Sequence, residues 1–192
     1  MKQAALFAES PDLPEGFVYR PDFLDPGEER SLLDAIADLP LREAAYKQFT
    51  AKRRIVSYGG RYDFSKGELL PAGPVPSFLF DVRERVAAWT GVAAERYTHA
   101  LVSEYQPGTQ LGWHRDVPDF EEIAGISLGG RARMRLRPYP PAKGRRDLTR
   151  TLDLEPRSAY AIAGTARWGW QHAISATKEL RYSITFRTRR RS

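Results

Sequence analysis

Hydrophobic and polar residues follow two different periods along the chain, and the change comes near residue 97. Before it, two segments place apolar residues every three or four positions, which is the spacing of one face of a helix. Asp25 stands as the N-cap of the first segment, with Pro26 at the first helical position and Glu28 placed to close a capping box. The second helix is predicted over residues 77–90. The pattern therefore predicts two amphipathic helices in the first half.

The second half consists of short segments of strand-like composition that are separated by turns containing Gly or Pro. These segments are YTHALVSEYQ, IAGISL, RMRLRP, RTLDLEP, SAYAIAG, WGWQHAI and RYSITFRT. Two shorter strands, FVYR and RRIVSYG, are predicted in the first half. Two helices followed by about seven strands predict a mainly β fold of the α+β class. We expect a jelly roll, or double-stranded β-helix, with the N-terminal helices packed outside it, in a single domain over residues 1–192.

Composition adds a charge asymmetry to this picture. The 192 residues include 30 Lys and Arg against 24 Asp and Glu, which leaves a net charge of +6. The sequence pI is about 9.7. A basic protein of ordinary globular composition favours an anionic partner, and nucleic acid is the first such partner to consider.

The chain contains no cysteine, which excludes disulfides, thiolate zinc sites and cysteine nucleophiles. Any transition-metal site must therefore use histidine and carboxylate ligands. We find neither a secretory signal nor an apolar run of membrane-spanning length in the sequence. These features predict a cytoplasmic protein without a membrane partner, which we expect to be a monomer.

The stretch LGWHRD contains a possible pair of metal ligands. His114 and Asp116 are two residues apart, so in an extended segment their side chains point to the same side. His172, in the strand-like segment GWQHAI, is the candidate third ligand, and His99 is an alternative on another strand. Two histidines and one carboxylate form a facial triad that suits non-haem Fe(II). Tetrahedral catalytic zinc would also accept this set.

The last strand, RYSITFR, carries charged residues where a buried strand is expected. Alternation places Arg181, Ser183, Thr185 and Arg187 on one face. Buried arginines are costly unless they meet anions, and these two lie about 20 Å apart at roughly 3.3 Å per residue. One of them could bind the far end of a dicarboxylic cosubstrate, and the other could lie near the metal or Asp116. Ordinary ion pairs with protein acids are the alternative.

Taken in order, SEYQPG, HRD, GISLG, ARWGWQHAI and RYSITFR resemble the AlkB family of Fe(II)- and 2-oxoglutarate-dependent dioxygenases over residues 98–187. The resemblance implies that His114, Asp116 and His172 bind iron, with 2-oxoglutarate and O2 as the other reactants. It also implies oxidation of a substrate C–H bond with release of succinate and CO2. On an N-methylated base the hydroxymethyl product would release formaldehyde and leave the repaired base.

The same resemblance assigns the cosubstrate contacts. It implies that Arg181 binds the distal carboxylate of 2-oxoglutarate with help from Tyr105. Arg187 would serve the metal-proximal carboxylate and the metal-binding aspartate. Ser103 and Ser183 stand where the family often has asparagine. Their hydroxyl groups could still contact the cosubstrate, although with a shorter reach.

Substrate contacts are predicted from charge and from the position of the family's nucleotide lid, which falls in the first half of this chain, residues 1–96, before the jelly-roll core of residues 97–192. The segment RARMRLRP aligns four arginines on one strand face, forming a basic ladder suited to phosphates, or a solvated edge strand. The predicted substrate contacts are Tyr58 and Tyr62 in the lid, Trp113 and Asp119 beside the metal motif, and Arg133 and Arg135 in the ladder.

Three functions are compatible with these features. The first is demethylation of N-alkylated bases in single-stranded DNA or RNA. The second is the same oxidation of a protein, a lipid or a tRNA modification, which would be favoured if the basic ladder pointed away from the metal. The third is a jelly-roll module that binds a metal without catalysis. It requires one of Arg181 and Arg187 to be buried against a protein acid, leaving no room for a dicarboxylate.

Overall fold

The computed structural model describes residues 13–46, 49–141 and 148–191. Within these ranges the chain forms thirteen strands and three α-helices, and short 3-10 turns at Ser77–Leu79 and Ala94–Arg96. In chain order the elements are β1 (Phe17–Arg20), α1 (Pro26–Ala37), β2 (Arg42–Tyr46), β3 (Phe49–Tyr58), β4 (Arg61–Asp63), β5 (Glu68–Leu70), α2 (Phe80–Thr90), β6 (His99–Tyr105), β7 (Leu111–His114), β8 (Phe120–Gly129), β9 (Ala132–Pro138), β10 (Arg150–Leu154), β11 (Ala159–Ile162), α3 (Gly164–Gly169), β12 (Trp170–Ile174) and β13 (Arg181–Arg189).

Two antiparallel sheets face each other, as in a jelly roll. The large sheet has seven strands in the order β1-β11-β8-β13-β6-β3-β2, and the small sheet has four in the order β10-β9-β12-β7. A separate hairpin joins β4 to β5. The strands of both sheets pair in antiparallel register. The predicted fold class, a mainly β jelly roll, is therefore confirmed.

Helices α1 and α2 cover the outer face of the large sheet. Asp25 accepts hydrogen bonds from the amides of Gly27 and Glu28, and the Glu28 carboxylate accepts one from the Asp25 amide, so the predicted capping box forms. Helix α2 ends at Gly91, whose φ of 75° is in the left-handed region that glycine adopts freely. The core between helices and sheet includes Leu32, Ile36, Leu79, Val82, Val86, Ala100, Val102, Ile126, Ile184 and Phe186.

A second core fills the space between the two sheets. It joins residues of the large sheet to residues of the small sheet and of α3, namely Tyr105, Ile123, Tyr160, Ile162, Met134, Leu136, Leu154, Ala166 and Ile174. Alternation along each strand decides which core a side chain joins. In β9, Met134 and Leu136 point inward, so the arginines that alternate with them along the strand must point outward.

Two local features differ from the expectations drawn from sequence. Residues 17–58 supply β1, β2 and β3 to the large sheet, so the first half of the chain contributes more than helices and a lid. Strand β3 joins because it pairs with β6 over Arg54–Tyr58. The segment WGWQHAI is a strand only from Trp170, since Trp168 and Gly169 close helix α3. Among the described residues, no helix has the length and apolarity needed to cross a bilayer.

Candidate metal centre and cosubstrate cavity

The three predicted metal ligands come together between the sheets. His114 ends β7 and pairs in register with His172 of β12, so both imidazoles lie on the inner face of the small sheet. Their ring centroids are 4.2 Å apart. One ligand atom from each histidine and one carboxylate oxygen of Asp116 all lie within 4.8 Å of one another. These three side chains can therefore hold a single ion.

Both histidines are prepared for coordination. Nδ1 of His114 lies 2.9 Å from the carbonyl oxygen of Gly112, and a ring N–H that donates there leaves Nε2 free for a metal. Burial lowers the pKa of His114, and it lowers the pKa of His172 to about 3, with the neighbouring His114 adding to the effect. The imidazoles are thus neutral near pH 7, which is the form that binds metal.

Asp116 is held in place by Arg187. The guanidinium Nε of Arg187 donates to Oδ1 of Asp116 at 2.7 Å, while Oδ2 lies 3.6 Å from Nε2 of His172. Burial alone would raise the pKa of Asp116, but the charge of Arg187, together with smaller contributions from His172, His114 and Arg167, outweighs burial and holds this pKa well below its usual range. Arg187 therefore keeps the carboxylate ionised and leaves its second oxygen facing the histidines.

The loop that carries Asp116 is fixed by a buried arginine that sequence reasoning did not identify. Arg167 in α3 is only 3% exposed, and its Nη2 donates to the carbonyl oxygens of Asp116 at 3.1 Å, Val117 at 2.8 Å and Phe120 at 2.8 Å. The segment ARWGWQHAI contains this arginine, but nothing in its sequence shows that it caps a loop fifty residues away.

The third histidine is outside the ligand set. His99 is 5% exposed, packs its ring 4.5 Å from that of Phe120, and lies 3.4 Å from Nη1 of Arg187. Burial lowers the pKa of His99 to about 3, with the charge of Arg187 acting in the same direction. His99 is thus a neutral neighbour of Arg187, and His172 is the histidine that completes the triad.

At the other end of the same strand, Arg181 is buried without a carboxylate. It is 1% exposed, its Nε donates to Oγ of Ser127 at 3.0 Å, and its guanidinium carbon lies 4.9 Å from the centre of the Tyr105 ring. Within the described residues its Nη1 has no hydrogen-bond partner. A buried cation with a free N–H group requires an anion to offset its lost hydration.

A second cation, Arg53 of β3, meets the same tyrosine. Its Nη1 donates to the hydroxyl oxygen of Tyr105 at 3.3 Å, and its Nε is buried without a partner in the described part of the chain. Burial would raise the pKa of Tyr105, but the charges of Arg53 and Arg181 outweigh burial and lower it. Two guanidinium groups and a phenol hydroxyl thus converge on one small volume.

Small side chains occupy the sheet between Arg181 and Arg187. Ser183 pairs in register with Ser103 on one side and with Ser127 on the other, and all three are buried. On the neighbouring strand a Cβ at Gly125 would collide with the ring of Tyr160. The absence of a side chain at Gly125 therefore leaves the space that this ring occupies. Burial raises the pKa of Tyr160 to about 12. The three serines fill less of the space above the sheet than larger side chains would.

This arrangement fits an elongated dicarboxylate beside a metal. Donors with free N–H groups lie at one end of the row of serines, and the metal ligands lie at the other. The donor set of two imidazoles and one carboxylate suits Fe(II) and leaves coordination positions open. A keto acid could bind the metal with one end and reach Arg181 with its distal carboxylate.

A family model described as the 2OG-Fe(II) oxygenase superfamily matches residues 16–187, which is most of the chain. The chain belongs to this superfamily. Membership confirms the predicted class, an oxidoreductase that uses Fe(II), 2-oxoglutarate and O2, and it favours iron over the zinc alternative.

Relatives of this oxygenase bear AlkB-type names. It is 30% identical over 182 residues to the "Alkylated DNA repair protein ALKBH8 homolog" of Arabidopsis thaliana, covering 83% of this chain and 50% of that protein. It is 29% identical over 176 residues to the "tRNA (carboxymethyluridine(34)-5-O)-methyltransferase alkbh8" of Xenopus tropicalis, covering 88% and 26%. It is 32% identical over 119 residues to the "Probable RNA/DNA demethylase ALKBH6" of Danio rerio, covering 62% and 48%. The oxygenase thus spans half or less of the length of these three relatives.

The fold also matches a solved structure. The structure of OsALKBH1 superposes with a TM-score of 0.68 at 16% identity, covering 92% of this oxygenase and 99% of that chain. This similarity shows that the two proteins share the same fold. Together with the relatives it confirms the AlkB-type resemblance inferred from the sequence motifs.

Three predicted substrate contacts of the oxygenase lie on the large-sheet and lid side. Tyr58 pairs with Ala100 and packs against the core under the helices, so it faces away from the metal because its register places it on the outer face. Tyr62, in the β4–β5 hairpin, packs its ring 4.9 Å from that of Phe64. Asp119 is half-buried in the loop before β8, where its carbonyl oxygen accepts from the amide of Arg190. The structure therefore does not support Tyr58 as the stacking residue.

The other three predicted contacts of the oxygenase lie on the outer face of the small sheet. Arg133 and Arg135 alternate with the inward-facing Met134, and Trp113 precedes the inward-facing His114. Nε of Arg133 donates to Asp153 at 2.8 Å. Arg131 and Arg133 of the ladder therefore do meet acids, which come from β10 and the residue after it, and the ladder points away from the metal.

Proposed function

We propose that this oxygenase demethylates N-alkylated bases in DNA or RNA, as an enzyme of alkylation damage repair that releases succinate, CO2 and formaldehyde. The observation that carries the proposal is the presence of a complete metal triad and a buried, carboxylate-free Arg181 between the same two sheets. The names of the Arabidopsis and Danio relatives refer to DNA repair and to an RNA/DNA demethylase, and the net charge of +6 suits a nucleic-acid substrate.

Separate residues would bind the metal and position its carboxylate ligand. His114, Asp116 and His172 would hold Fe(II), and Arg187 would fix the carboxylate of Asp116. When bound, Fe(II), 2-oxoglutarate and O2 supply the oxidative decarboxylation that is coupled to hydroxylation of a substrate C–H bond.

The cosubstrate would be oriented from its far end. Arg181, Arg53 and Tyr105 present N–H and O–H groups to a distal carboxylate, which would leave the keto-acid end directed toward the triad. On an N-methyl group, hydroxylation gives an N-hydroxymethyl group. Cleavage of its C–N bond releases formaldehyde and returns a proton to the base nitrogen.

A modified tRNA base is a second candidate substrate for the same oxidation. The basic ladder lies on the outer face of the small sheet rather than at the metal, and this position favours the alternative. The name of the Xenopus relative refers to a tRNA uridine. The two candidates differ in the base that is oxidised and share every metal and cosubstrate contact.

The non-catalytic alternative is not supported. It requires an arginine of β13 to be buried against a protein acid so that no dicarboxylate fits. Arg187 does meet Asp116, but that carboxylate belongs to the metal triad. Arg181 meets a serine hydroxyl and an aromatic ring, and no salt bridge is formed by it within the described residues.

The test begins with anaerobic binding of Fe(II) and 2-oxoglutarate, followed by addition of O2 with methylated single-stranded DNA or RNA. Succinate above the level seen with an unmethylated oligonucleotide, with formaldehyde in equal amount, would support demethylation. Binding of 2-oxoglutarate without methyl-dependent succinate would reject it, and the assay would be repeated with tRNA. Failure to bind 2-oxoglutarate would reject both candidates.

A further inference from the structure

The outer face of the small sheet carries arginines of two kinds. Arg131 forms a salt bridge with Glu155, which directly follows strand β10, and Arg133 forms one with Asp153 of β10. Further along β9, Arg135 has Thr151 of β10 and Ala173 of β12 as its register partners, and Arg137 has Gln171 of β12. Because none of these partners is a carboxylate, the charges of the second pair are not compensated by them.

A tryptophan lies under this second pair. The guanidinium carbons of Arg135 and Arg137 lie 5.0 and 4.3 Å from the centre of the Trp113 ring. Nε of Arg137 donates to Oε1 of Gln171 at 2.9 Å, and Nε of Arg135 is buried without a partner in the described part of the chain. Stacking on a ring holds a guanidinium group flat while its remaining N–H groups stay available.

The same arrangement recurs beside the metal motif. The guanidinium carbon of Arg115 lies 3.8 Å from the centre of the Tyr139 ring, and its Nη1 donates to the carbonyl oxygen of Trp168 at 3.0 Å. Tyr139 is 41% exposed. Arg115 lies between two metal ligands in sequence, so this second stack lies near the rim of the metal site.

These five residues form a surface that we call the arginine–aromatic face: Arg115, Arg135, Arg137, Trp113 and Tyr139. Among the described residues, none of its three arginines forms a salt bridge, whereas Arg131 and Arg133 of the same strand do. Three uncompensated cations that are held rigid by aromatic rings favour an anionic partner over solvent alone.

We propose that the arginine–aromatic face binds the phosphate backbone of a nucleic-acid substrate outside the catalytic cavity. The proposal rests on the proposed function, because it assigns a surface to the substrate of the same site. Planar guanidinium groups match phosphate oxygens in pairs, and interleaved rings accept unpaired bases. A lipid surface would instead require protruding apolar side chains, and here Trp113 lies beneath two arginines.

The location of the face sets a requirement on substrate length. Arg135, Arg137 and Trp113 are on the opposite side of the small sheet from His114 and His172, whereas Arg115 lies near the rim of the metal site, so a nucleic acid that contacts the whole face must extend several nucleotides beyond the base at the metal. We expect a methylated oligonucleotide to bind much more tightly than the methylated nucleoside. Its affinity should fall with salt, as it does when phosphates are neutralised by arginine.

The test compares two double variants on one strand. Fluorescence anisotropy would measure binding of a methylated single-stranded oligonucleotide of roughly 16 nucleotides, between low and moderate salt. Arg135→Gln with Arg137→Gln removes two uncompensated charges. Arg131→Gln with Arg133→Gln removes the same number of charges from the same strand face, but both of those are already neutralised by acids.

The first variant should reduce the slope of log affinity against log salt by about 1.4, because each single-strand phosphate that an arginine neutralises contributes about 0.7 through release of counterions. The second should leave the slope unchanged. Arg115→Gln alone should reduce it by about 0.7. Melting temperatures of all variants would check that each is folded.

Equal losses in both double variants, or no loss in either, would overturn the proposal. So would an absence of oligonucleotide binding by the unaltered protein, or binding of anionic phospholipid vesicles that competes with the oligonucleotide through Arg135 and Arg137. The readout is binding, and 2-oxoglutarate binding is measured separately. Failure of the proposed function can therefore be distinguished from failure of the arginine–aromatic face to bind nucleic acid.

Discussion

Arginines occupy two contrasting regions of this molecule. In the cavity between the sheets, Arg181 and Arg187 are enclosed by protein, and each has a defined task at one end of β13. On the outer face of the small sheet, Arg133 and Arg135 belong to a strand with the same alternation but remain in contact with water. Both sets lie on one face of their strand by alternation, although the outer arginines stand at every second position and Arg181 and Arg187 are six residues apart.

The two regions differ in the free energy of hydration that each charged group loses and in the group that compensates this loss. A cation enclosed in a cavity loses hydration and must be offset by a particular anion in a particular place. A cation at the surface keeps its water, so an ion pair there is weak and its loss is tolerated. Inner arginines should therefore control binding at the site, and outer arginines should act collectively through long-range charge.

The largest effect should follow from Arg181→Gln. The buried guanidinium would lose its charge-assisted contact with the distal carboxylate, and the loss of such a contact costs about 2 to 5 kcal/mol. The Kd for 2-oxoglutarate should rise by roughly 30-fold or more. Calorimetry with the metal-loaded protein would measure it. Arg131→Gln, on the outer face, is the matched control and should leave this Kd unchanged.

Equal affinities for Arg181→Gln and the unaltered protein would show that the free Nη1 of Arg181 is not the carboxylate donor. Arg53 would then be the remaining cation at Tyr105, and the contrast between the two regions would no longer depend on Arg181.

A smaller effect should follow from Arg187→Lys, which keeps the charge but loses the planar fork that grips Asp116. Changes of this kind beside a metal ligand weaken metal binding by about 10- to 100-fold. A titration with Mn(II), which leaves out the redox chemistry, would measure it. Arg189→Lys, on the same strand but exposed, is the control and should bind metal normally. Normal metal affinity for Arg187→Lys would mean that charge alone orients Asp116.

Much of the inner region could be predicted from the sequence because it depends on short spacings. The interval of two between His114 and Asp116 and the alternation along RYSITFR place side chains on one face wherever the strand runs. The capping box at Asp25 is equally local, and it forms as predicted. Metal ligands and strand faces could therefore be assigned before the sheet order was known.

The remaining features depend on which strand lies beside which. Arg53 reaches Tyr105, and Arg167 reaches the carbonyl oxygens after Asp116, only because the fold brings distant segments together. The register that pairs Tyr58 with Ala100 turns it toward the helices. The acids that pair with Arg131 and Arg133 come from β10 and from the residue after it, so the isolated sequence RARMRLRP does not show that two of its four arginines are compensated.

The smallest effect should follow from Arg133→Gln on the outer face. The Arg133 and Asp153 side chains are 60% and 36% exposed, so water and salt screen their attraction and little stability depends on it. We expect no measurable change in melting temperature in 1 M salt, and at most a slight decrease in low salt. Leu136→Ala, on the inner face of the same strand, is the reference and should cost about 2 to 5 kcal/mol. A decrease for Arg133→Gln as large as that for Leu136→Ala would show that the outer face is part of the stabilising core, and the contrast between the two regions would then fail.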